Sequence, residues 1–152
     1  MHFIILADNS RSMKLSFSNT IELRVRYSET DQMGYCYYGN YAQYFEVGRV
    51  EALRSIGMSY KALEDSGIML PVSEFQVKYA APAYYDDLLR IETQIIELRG
   101  SRLLFDYHIT NESGIVICTA STTLVFVKKE NMRPVSPPTE FTDRIQPFLC
   151  HD

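Results

Sequence analysis

Apolar and polar residues alternate along several segments of the chain, which is the pattern of half-buried β-strands. The first such segment covers residues 21–27, where apolar side chains alternate with Glu22, Arg24 and Arg26. Later segments repeat the pattern, and we predict strands over residues 75–79, 89–95, 103–109 and 115–127. Glycine-containing turns at residues 99–102 and 111–114 separate the last three of these strands, so we expect them to pair antiparallel.

One segment instead shows the spacing of an amphipathic helix. From about residue 39 to residue 56, apolar or small side chains recur every three to four positions, at Tyr41, Phe45, Gly48, Ala52 and Ile56. Gly57 follows at the point where a left-handed residue commonly ends a helix. A short second helix is predicted over residues 59–65, ended by Gly67.

The order of elements is therefore a strand, one long helix, and then four or more antiparallel strands. A helix with a wide apolar stripe and such a sheet bury each other's apolar faces when the sheet curls around the helix. We predict an α+β protein with the hotdog fold, in which an antiparallel sheet of about five or six strands is curled around one long central helix. The segment 115–127 is the longest predicted strand and is apolar on both faces in places. We therefore expect the helix to cover one of its faces and a partner subunit to cover part of the other.

A chain of 152 residues suffices for one domain with a sizeable core. We place this domain at residues 18–140, between an N-terminal extension (1–17) and a C-terminal tail (141–152). A second methionine, Met13, stands shortly before the first predicted strand. Residues 1–12 are accordingly expected to be poorly ordered or to precede the start of translation. The proline-rich segment 133–138 is expected to leave the sheet as extended chain.

Composition narrows the classes of function. The net charge of −4, without a Lys/Arg cluster, argues against a nucleic-acid partner. No apolar run has the length of a membrane span, and the first residues lack the core of a signal peptide. Three cysteines and three histidines are scattered without metal-ligand or disulfide spacing. We therefore predict a cytoplasmic protein with reduced thiols and no metal site.

The segment between the first strand and the long helix carries the most distinctive chemistry. Asp31 lies here in a turn that contains Gly34, just before the helix begins. A carboxylate near a helix N-terminus, where backbone N–H groups lack partners, can act on a carbonyl whose oxygen those groups stabilise. This predicts acyl chemistry, with Asp31 as a nucleophile that forms a mixed anhydride or as a general base that activates water. The alternative is an aspartate that only forms the turn or caps the helix.

Neighbouring residues are candidates for supporting roles, each with a structural alternative. Gly34 would allow a positive φ or the close approach of a substrate to the backbone. Tyr41 and Tyr44 would line an acyl pocket or pack in the core. Glu46 would bind or orient substrate, serve as a second carboxylate, or be a buried or interfacial carboxylate with a partner.

Cys36 lies close to Asp31 in the sequence, but a catalytic cysteine needs a histidine partner. Nothing in the spacing brings His108 to it, and His108 alternates out of register with its apolar neighbours. We interpret Cys36 as a small, partly buried residue and His108 as exposed or interfacial.

The segment around Asp31 also resembles the signature of a known enzyme family. The resemblance rests on residues 24–31 (RVRYSETD), Gly34, 37–41 (YYGNY), Phe45-Glu46, 85–93 (YDDLLRIET) and Arg133-Pro134. It extends over about residues 20–138 and is to the 4-hydroxybenzoyl-CoA thioesterase-like acyl-CoA thioesterases. This family includes the thioesterases associated with the Tol–Pal system.

The resemblance implies a hotdog fold, a homodimer or homotetramer, and hydrolysis of acyl-CoA or acyl-carrier-protein thioesters. It implies no cofactor, because coenzyme A is part of the substrate. Asp31 takes the place of the catalytic aspartate, and the backbone N–H of Tyr38 that of the group which polarises the thioester carbonyl. Arg99 and Arg102 stand at the hairpin where relatives bind CoA, although Gly100 and Ser101 separate them.

Two other functions are compatible with the same elements. A hotdog hydratase or dehydratase acts on acyl thioesters through a catalytic histidine, and the turn around Asp31 has none beside it. A non-catalytic module that binds acyl thioesters or acyl carrier protein would have the same sheet and helix. Asp31 discriminates here, because binding alone does not need an acid directed at the carbonyl.

Overall fold

The computed structural model describes residues 12–151. Its strands are β1 (Ser12–Arg24), β2 (Ile68–Met69), β3 (Val72–Tyr79), β4 (Leu88–Arg99), β5 (Arg102–Thr110), β6 (Val116–Val125) and β7 (Val127–Lys128). Its α-helices are α1 (Asn40–Ser55), α2 (Tyr60–Asp65) and α3 (Thr139–Ile145), and single 3-10 turns cover Tyr27–Glu29 and Gln146–Phe148. Five strands form one antiparallel sheet in the order β1-β4-β5-β6-β3, and β2 pairs with β7.

Helix α1 packs against the inner face of this sheet, where it contacts β1 and β4. Its buried side includes Phe45 and Leu53, and the facing strands bury alternate residues. Gly48 lies at a close approach between helix and sheet, because a Cβ atom there would stand 2.6 Å from Thr93 Oγ1. Bulges in β1 and β4 add local twist. The wide apolar stripe and Gly48 together allow the helix to lie directly on the sheet.

This architecture agrees with the predicted α+β arrangement of one long helix and an antiparallel sheet of five or six strands, and the observed number is five. The helices predicted over residues 39–56 and 59–65 are observed as α1 and α2. The predicted strands after residue 74 correspond to β3, β4, β5 and β6. The segment 115–127 is divided between the ten residues of β6 and the short β7, so the longest strand is the 13-residue β1.

The N-terminal boundary predicted at residue 17 is wrong, because β1 begins at Ser12. Ser12 pairs with Arg99 at the end of β4, and Leu15 is buried. Met13, Leu15 and Phe17 alternate with Ser12, Lys14 and Ser16, so the strand pattern is present in the sequence and begins earlier than predicted. Residues 1–11 of the predicted extension lie outside the described residues.

The predicted C-terminal tail also belongs to the domain. Phe141 and Ile145 of α3 are buried, and the rings of Phe126 and Phe141 lie 5.2 Å apart. The N–H of Cys150 donates to the carbonyl oxygen of Lys14 at 3.0 Å. The C-terminal segment therefore covers part of the outer edge of β1. Before it, the segment 133–138 is extended, as predicted, but Pro134 bridges to Val127 of β7.

The opposite edge of the sheet is different. Among residues 12–151, β3 pairs only with β6, so its outer edge has no strand partner. Phe75 and Tyr79 of β3 are 43% and 50% exposed although Phe75 lies against Phe45 of the helix. No described helix combines the length and the apolar character needed to cross a membrane.

Candidate active site

A short hairpin loop after β1 carries Asp31. Thr30 and Cys36 form an antiparallel bridge that closes the loop. Inside it, the N–H of Asp31 donates to the carbonyl oxygen of Tyr35 at 3.0 Å, and the N–H of Gly34 donates to that of Asp31 at 3.0 Å. Gly34 has φ = +87°, a left-handed conformation that favours glycine, while a Cβ atom there would meet nothing within 4 Å. The backbone conformation therefore requires the glycine, and a role of Gly34 in substrate binding stays a prediction.

The Asp31 carboxylate is half-buried and only partly engaged. Its Oδ1 accepts a hydrogen bond from the N–H of Met33 at 2.9 Å, which orients the side chain within the loop. Across the described part of the chain, its Oδ2 accepts no hydrogen bond and no cation pairs with it. One oxygen is therefore held in place while the other is available for chemistry.

Asp31 lines a cleft of about 360 Å³ together with apolar and aromatic residues: Met33, Tyr35, Cys36, Tyr38, Tyr41, Tyr79, Ala80, Ala81 and Pro82. The tyrosine rings pack on one another, with centroids 6.2 Å apart for Tyr38–Tyr79 and 5.6 Å apart for Tyr41–Tyr79. Asp31 is the one carboxylate among these lining residues. The cleft thus combines an apolar wall with a single acid.

Tyr38 and Gly39 immediately precede the first residue of α1. Within residues 12–151, neither of their N–H groups has an acceptor, and no side chain caps the helix. The carbonyl oxygen of Tyr38 accepts a long hydrogen bond of 3.4 Å from the hydroxyl of Tyr79. Free N–H groups at a helix N-terminus stabilise a developing oxyanion. The predicted Tyr38 donor is therefore available, and Gly39 is a second candidate that the sequence interpretation did not identify.

Glu29, two residues before Asp31, is a further residue that the sequence interpretation missed. It is 5% exposed, and its carboxylate accepts hydrogen bonds from the N–H of Arg26 (2.8 Å), from Arg26 Nη2 (3.2 Å) and from the hydroxyl of Tyr44 (2.9 Å). Burial raises the pKa of Glu29, but the hydrogen bonds from Arg26 and Tyr44 outweigh it and hold the pKa below the usual value. The capping box formed by Arg26 and Glu29 depends on their spacing in the sequence and could have been predicted from it. The contact of Tyr44 with Glu29 could not, because it forms only when the chain folds.

Cys36 is buried below the loop rather than partly buried as predicted. Its Sγ lies 3.6 Å from the hydroxyl of Tyr44, and burial raises the pKa of the thiol. His108 is exposed on β5, which agrees with its predicted position. Cys36 therefore packs in the core, and in the described part of the chain no histidine is hydrogen-bonded to its thiol.

The three candidates on the helix, Tyr41, Tyr44 and Glu46, have different environments. Tyr41 is buried and lines the cleft, so it combines the two roles considered for it, pocket lining and packing. Tyr44 packs below it, with ring centroids 5.7 Å apart. Glu46 is exposed on α1, so of the alternatives considered for it only a carboxylate buried within its own chain is excluded. Its role in substrate binding or at an interface stays a prediction.

Arg99 and Arg102 lie at the far end of the sheet from Asp31. The Asp31 loop contacts the residues before β4, since the N–H of Cys36 donates to the carbonyl oxygen of Ala83 at 2.7 Å. Arg99 is the last residue of β4, about 35 Å along the strand from its start. The structure therefore does not bring these arginines to Asp31 within one chain.

The guanidinium of Arg99 is already paired with a buried carboxylate. Arg99 Nη2 lies 2.9 Å from Glu97 Oε1, and Lys14 Nζ lies 3.0 Å from Glu97 Oε2. Hydrogen bonds from Ser12, Lys14 and Arg99 lower the pKa of Glu97 to about 2. Arg102 is exposed and, in the described part of the chain, has no acidic partner.

Fold and site together define a class of protein. An antiparallel sheet packs on one helix, the helix N-terminus has free N–H groups, and a carboxylate precedes it at an apolar cleft. No group of three or more His, Cys, Asp or Glu side chains within residues 12–151 is arranged to hold a metal ion. These are the features expected of a hotdog-fold thioester hydrolase.

Comparison with known proteins identifies the family. Residues 25–145 match the thioesterase-like superfamily, and the chain belongs to it. The chain is 34% identical over 122 residues to the Bacillus subtilis protein YneP, covering 80% of this chain and 88% of that protein. It is also 34% identical over 116 residues to the acyl-CoA thioester hydrolase YbgC of Escherichia coli, covering 76% and 87% respectively.

A solved structure shows the same architecture. The DHNA-CoA thioesterase of Staphylococcus aureus superposes with a TM-score of 0.77 at 34% identity, over 86% of this chain and 85% of that one. The predictions of a hotdog fold and of a thioester-hydrolysing enzyme are therefore confirmed.

Proposed function

We propose that this thioesterase hydrolyses acyl-CoA, with Asp31 as its catalytic carboxylate and the N–H groups of Tyr38 and Gly39 as oxyanion donors. The observation that carries the proposal is that Asp31 and Tyr38 line the same apolar cleft, each with an unused hydrogen-bonding group. The name of the similar YbgC, an acyl-CoA thioester hydrolase, supports the substrate class.

In the proposed reaction the thioester carbonyl oxygen accepts hydrogen bonds from the helix N-terminus, so the negative charge that develops on it is stabilised. Asp31 then either attacks the carbonyl carbon and expels the CoA thiolate, leaving a mixed anhydride that water hydrolyses, or removes a proton from the water that attacks. Both routes yield a free acid and CoA thiol. The chemistry needs no metal or redox cofactor, so we expect unchanged activity in the presence of EDTA.

Rapid-quench kinetics distinguishes the two routes. A burst of thiol release, equal to the enzyme concentration and ahead of acid release, with an acylated peptide containing Asp31, identifies the nucleophile route. Simultaneous release of thiol and acid without an adduct identifies the general-base route. If the enzyme with Asp31→Asn still releases thiol at the wild-type rate, the proposed role of Asp31 is wrong.

The cleft favours an apolar or aromatic acyl group, because its lining has one charge and several tyrosine rings. The similar S. aureus protein is named a DHNA-CoA thioesterase, which is consistent with an aromatic acyl group. Thiol release from a panel of aromatic, short-chain and long-chain acyl-CoAs tests this preference. Parallel assays with the same acyl groups on an acyl carrier protein determine which thiol carrier the enzyme uses.

We also propose that the enzyme is a homodimer formed by the free edges of β3. An unpaired strand with half-exposed apolar side chains is a ready site for pairing with a second copy. Antiparallel pairing around a two-fold axis sets the Val72 end of one β3 beside the Tyr79 end of the other. The partner's Arg99 and Arg102 then lie at the same end of the joined sheet as Asp31, about 15 Å and about 10 Å, respectively, from the β3 edge.

Mixing two inactive variants tests this arrangement. In a heterodimer of Asp31→Asn with the double variant Arg99→Ala/Arg102→Ala, one of the two sites has Asp31 and both arginines. If the arginines act across the interface, re-associated mixtures recover up to about a quarter of wild-type sites. Arginines acting within their own chain give no recovery. Analytical ultracentrifugation shows whether the dimer forms or a tetramer is present.

A cytoplasmic location is part of the proposal. Cys36, Cys118 and Cys150 are free thiols, and two of them are buried, as is usual in a reducing compartment. Fractionation of cells that produce the protein tests this location.

A further inference from the structure

Glu29 connects the Asp31 loop to the helix through its side chain. Glu29 Oε1 accepts hydrogen bonds from the N–H of Arg26 and from the hydroxyl of Tyr44, one turn into α1. Tyr44 is 3% exposed, and its hydroxyl also lies 3.6 Å from Cys36 Sγ. The buried carboxylate therefore joins the end of the first 3-10 turn, the helix and the loop strand that contains Cys36.

The main chain of Glu29 makes a second connection. Its carbonyl oxygen accepts hydrogen bonds from the N–H of Tyr37 at 2.8 Å and from Asn40 Nδ2 at 2.7 Å. Tyr37 precedes the candidate oxyanion donor Tyr38, and Asn40 is the first residue of α1. Asp31 follows Glu29 by two residues. Both of the groups proposed to act on the thioester are thus attached to Glu29 through short covalent and hydrogen-bonded paths.

Burying an ionised carboxylate is unfavourable unless it is fully partnered. A neutral side chain would fill the same space without that requirement, yet Glu29 has three donors for its two oxygens. Hydrogen bonds to a charged acceptor are stronger and more directional than those to a neutral one. The arrangement suits a group that maintains a defined geometry between loop and helix.

We propose that Glu29 is a positioning residue, which with Tyr44 sets the placement of the Asp31 carboxylate relative to the N–H of Tyr38. This inference rests on the proposed function of those two groups. Glu29 is not among the residues that line the cleft. It acts on the rate because catalysis needs the acid and the oxyanion donors at fixed positions, and a misplacement of about 1 Å can cost 100-fold in rate.

The central test uses Tyr44→Phe, which removes the hydroxyl that links the helix to Glu29 and keeps the ring. We expect kcat to fall about tenfold with KM for acyl-CoA nearly unchanged, because the cleft wall is preserved while the reacting groups lose alignment. The matched control is Tyr107→Phe. Its hydroxyl is also buried and bonded, to Arg49 at 3.1 Å and Thr122 at 2.7 Å, and makes no hydrogen bond to the Asp31 loop within the described residues. We expect this control to lower the unfolding temperature and leave kcat unchanged.

Substitutions of Glu29 itself complete the test. Glu29→Gln keeps an oxygen that can accept from Arg26 N–H and Tyr44, so it retains much more kcat than Glu29→Ala when both are measured on folded protein. Equal kcat in wild type and Tyr44→Phe, or an equal loss of kcat in Tyr107→Phe, would overturn the positioning role. Asp31→Asn is assayed in parallel. If it remains active, the proposed catalytic site is wrong, whereas an inactive Asp31→Asn beside a fully active Tyr44→Phe refutes the positioning role alone.

Discussion

Glu29 and Asp31 are two carboxylates in one loop, separated by a single residue, and their environments are opposite. The Glu29 carboxylate is buried and accepts hydrogen bonds from the donors around it. The Asp31 carboxylate is half-buried and accepts one hydrogen bond, from its own loop. An acid whose oxygens are all occupied can hold structure but cannot react. An acid with a free oxygen at an apolar cleft contributes little to the fold and can react. The same functional group therefore has a stabilising role at Glu29 and a chemical role at Asp31.

The largest expected effect is the loss of activity in Asp31→Asn. Because amide nitrogen is neither nucleophile nor base, we expect kcat to fall by about 100-fold or more, while the free energy of unfolding changes by less than about 0.5 kcal/mol. Thiol release and urea unfolding measure the two quantities. Asp87→Asn is the control, since Asp87 also accepts a backbone hydrogen bond in an exposed turn, from Tyr84 at 2.8 Å. Comparable activity in the two variants would contradict the division between the carboxylates.

Glu29→Ala should show the reverse balance, with a large loss of stability. It removes a buried acceptor and leaves the hydroxyl of Tyr44 without its partner, so we expect the free energy of unfolding to fall by about 2–3 kcal/mol. Urea unfolding of both variants measures the contrast directly. A loss as small as that of Asp31→Asn would show that the buried carboxylate does not stabilise the loop.

A pH series refines the same comparison. The folded pKa of Glu29 lies below its usual value near 4.5, so its ionised form stabilises the native state. This contribution is fully present above pH 4.5 and is lost as the pH falls through the lowered folded pKa. We expect the difference in unfolding free energy between wild type and Glu29→Gln to be constant near neutral pH and to shrink in acid.

Glu97→Gln provides a reference for this pH series at the other end of the sheet. The folded pKa of Glu97 is about 2. Part of its contribution to the free energy of unfolding should therefore remain below pH 4.5 and be lost only as the pH falls to about 2. A difference for Glu29→Gln that grows as the pH falls would contradict the assigned direction.

The smallest effect is expected for Arg26→Ala. The side chain of Arg26 is 75% exposed, and its ion pair with Glu29 is therefore weak. The backbone N–H of Arg26 still donates to Glu29 after the substitution. We expect only slight changes in stability and kcat, reduced further by salt, and a change as large as that of Tyr44→Phe would show that the ion pair rather than the buried hydrogen bonds holds Glu29.

Local patterns in the sequence predicted much of the fold. The spacing of Tyr41, Phe45 and Ala52 predicted α1 to within a residue or two, and alternation located the strands from β3 to β6. The start of β1 was missed although Met13, Leu15 and Phe17 alternate with polar residues there, whereas the short helix α3 was missed because it depends on packing against Phe126. At the site, Asp31 and Gly34 were identified from the turn, but Glu29 was not.

What the sequence by itself determined is the set of local elements and the placement of an acid in a glycine turn before a helix. Periodicity, turn residues and helix ends depend on neighbours along the chain, and these can be read in order. The tertiary structure alone decided which acid is buried, because Tyr44 reaches the Glu29 carboxylate only when α1 folds back on the loop. It also placed Arg99 at the opposite end of the sheet from Asp31, since the course of β4 fixes that separation. Burial and long-range contacts, rather than residue type, distinguish the two carboxylates.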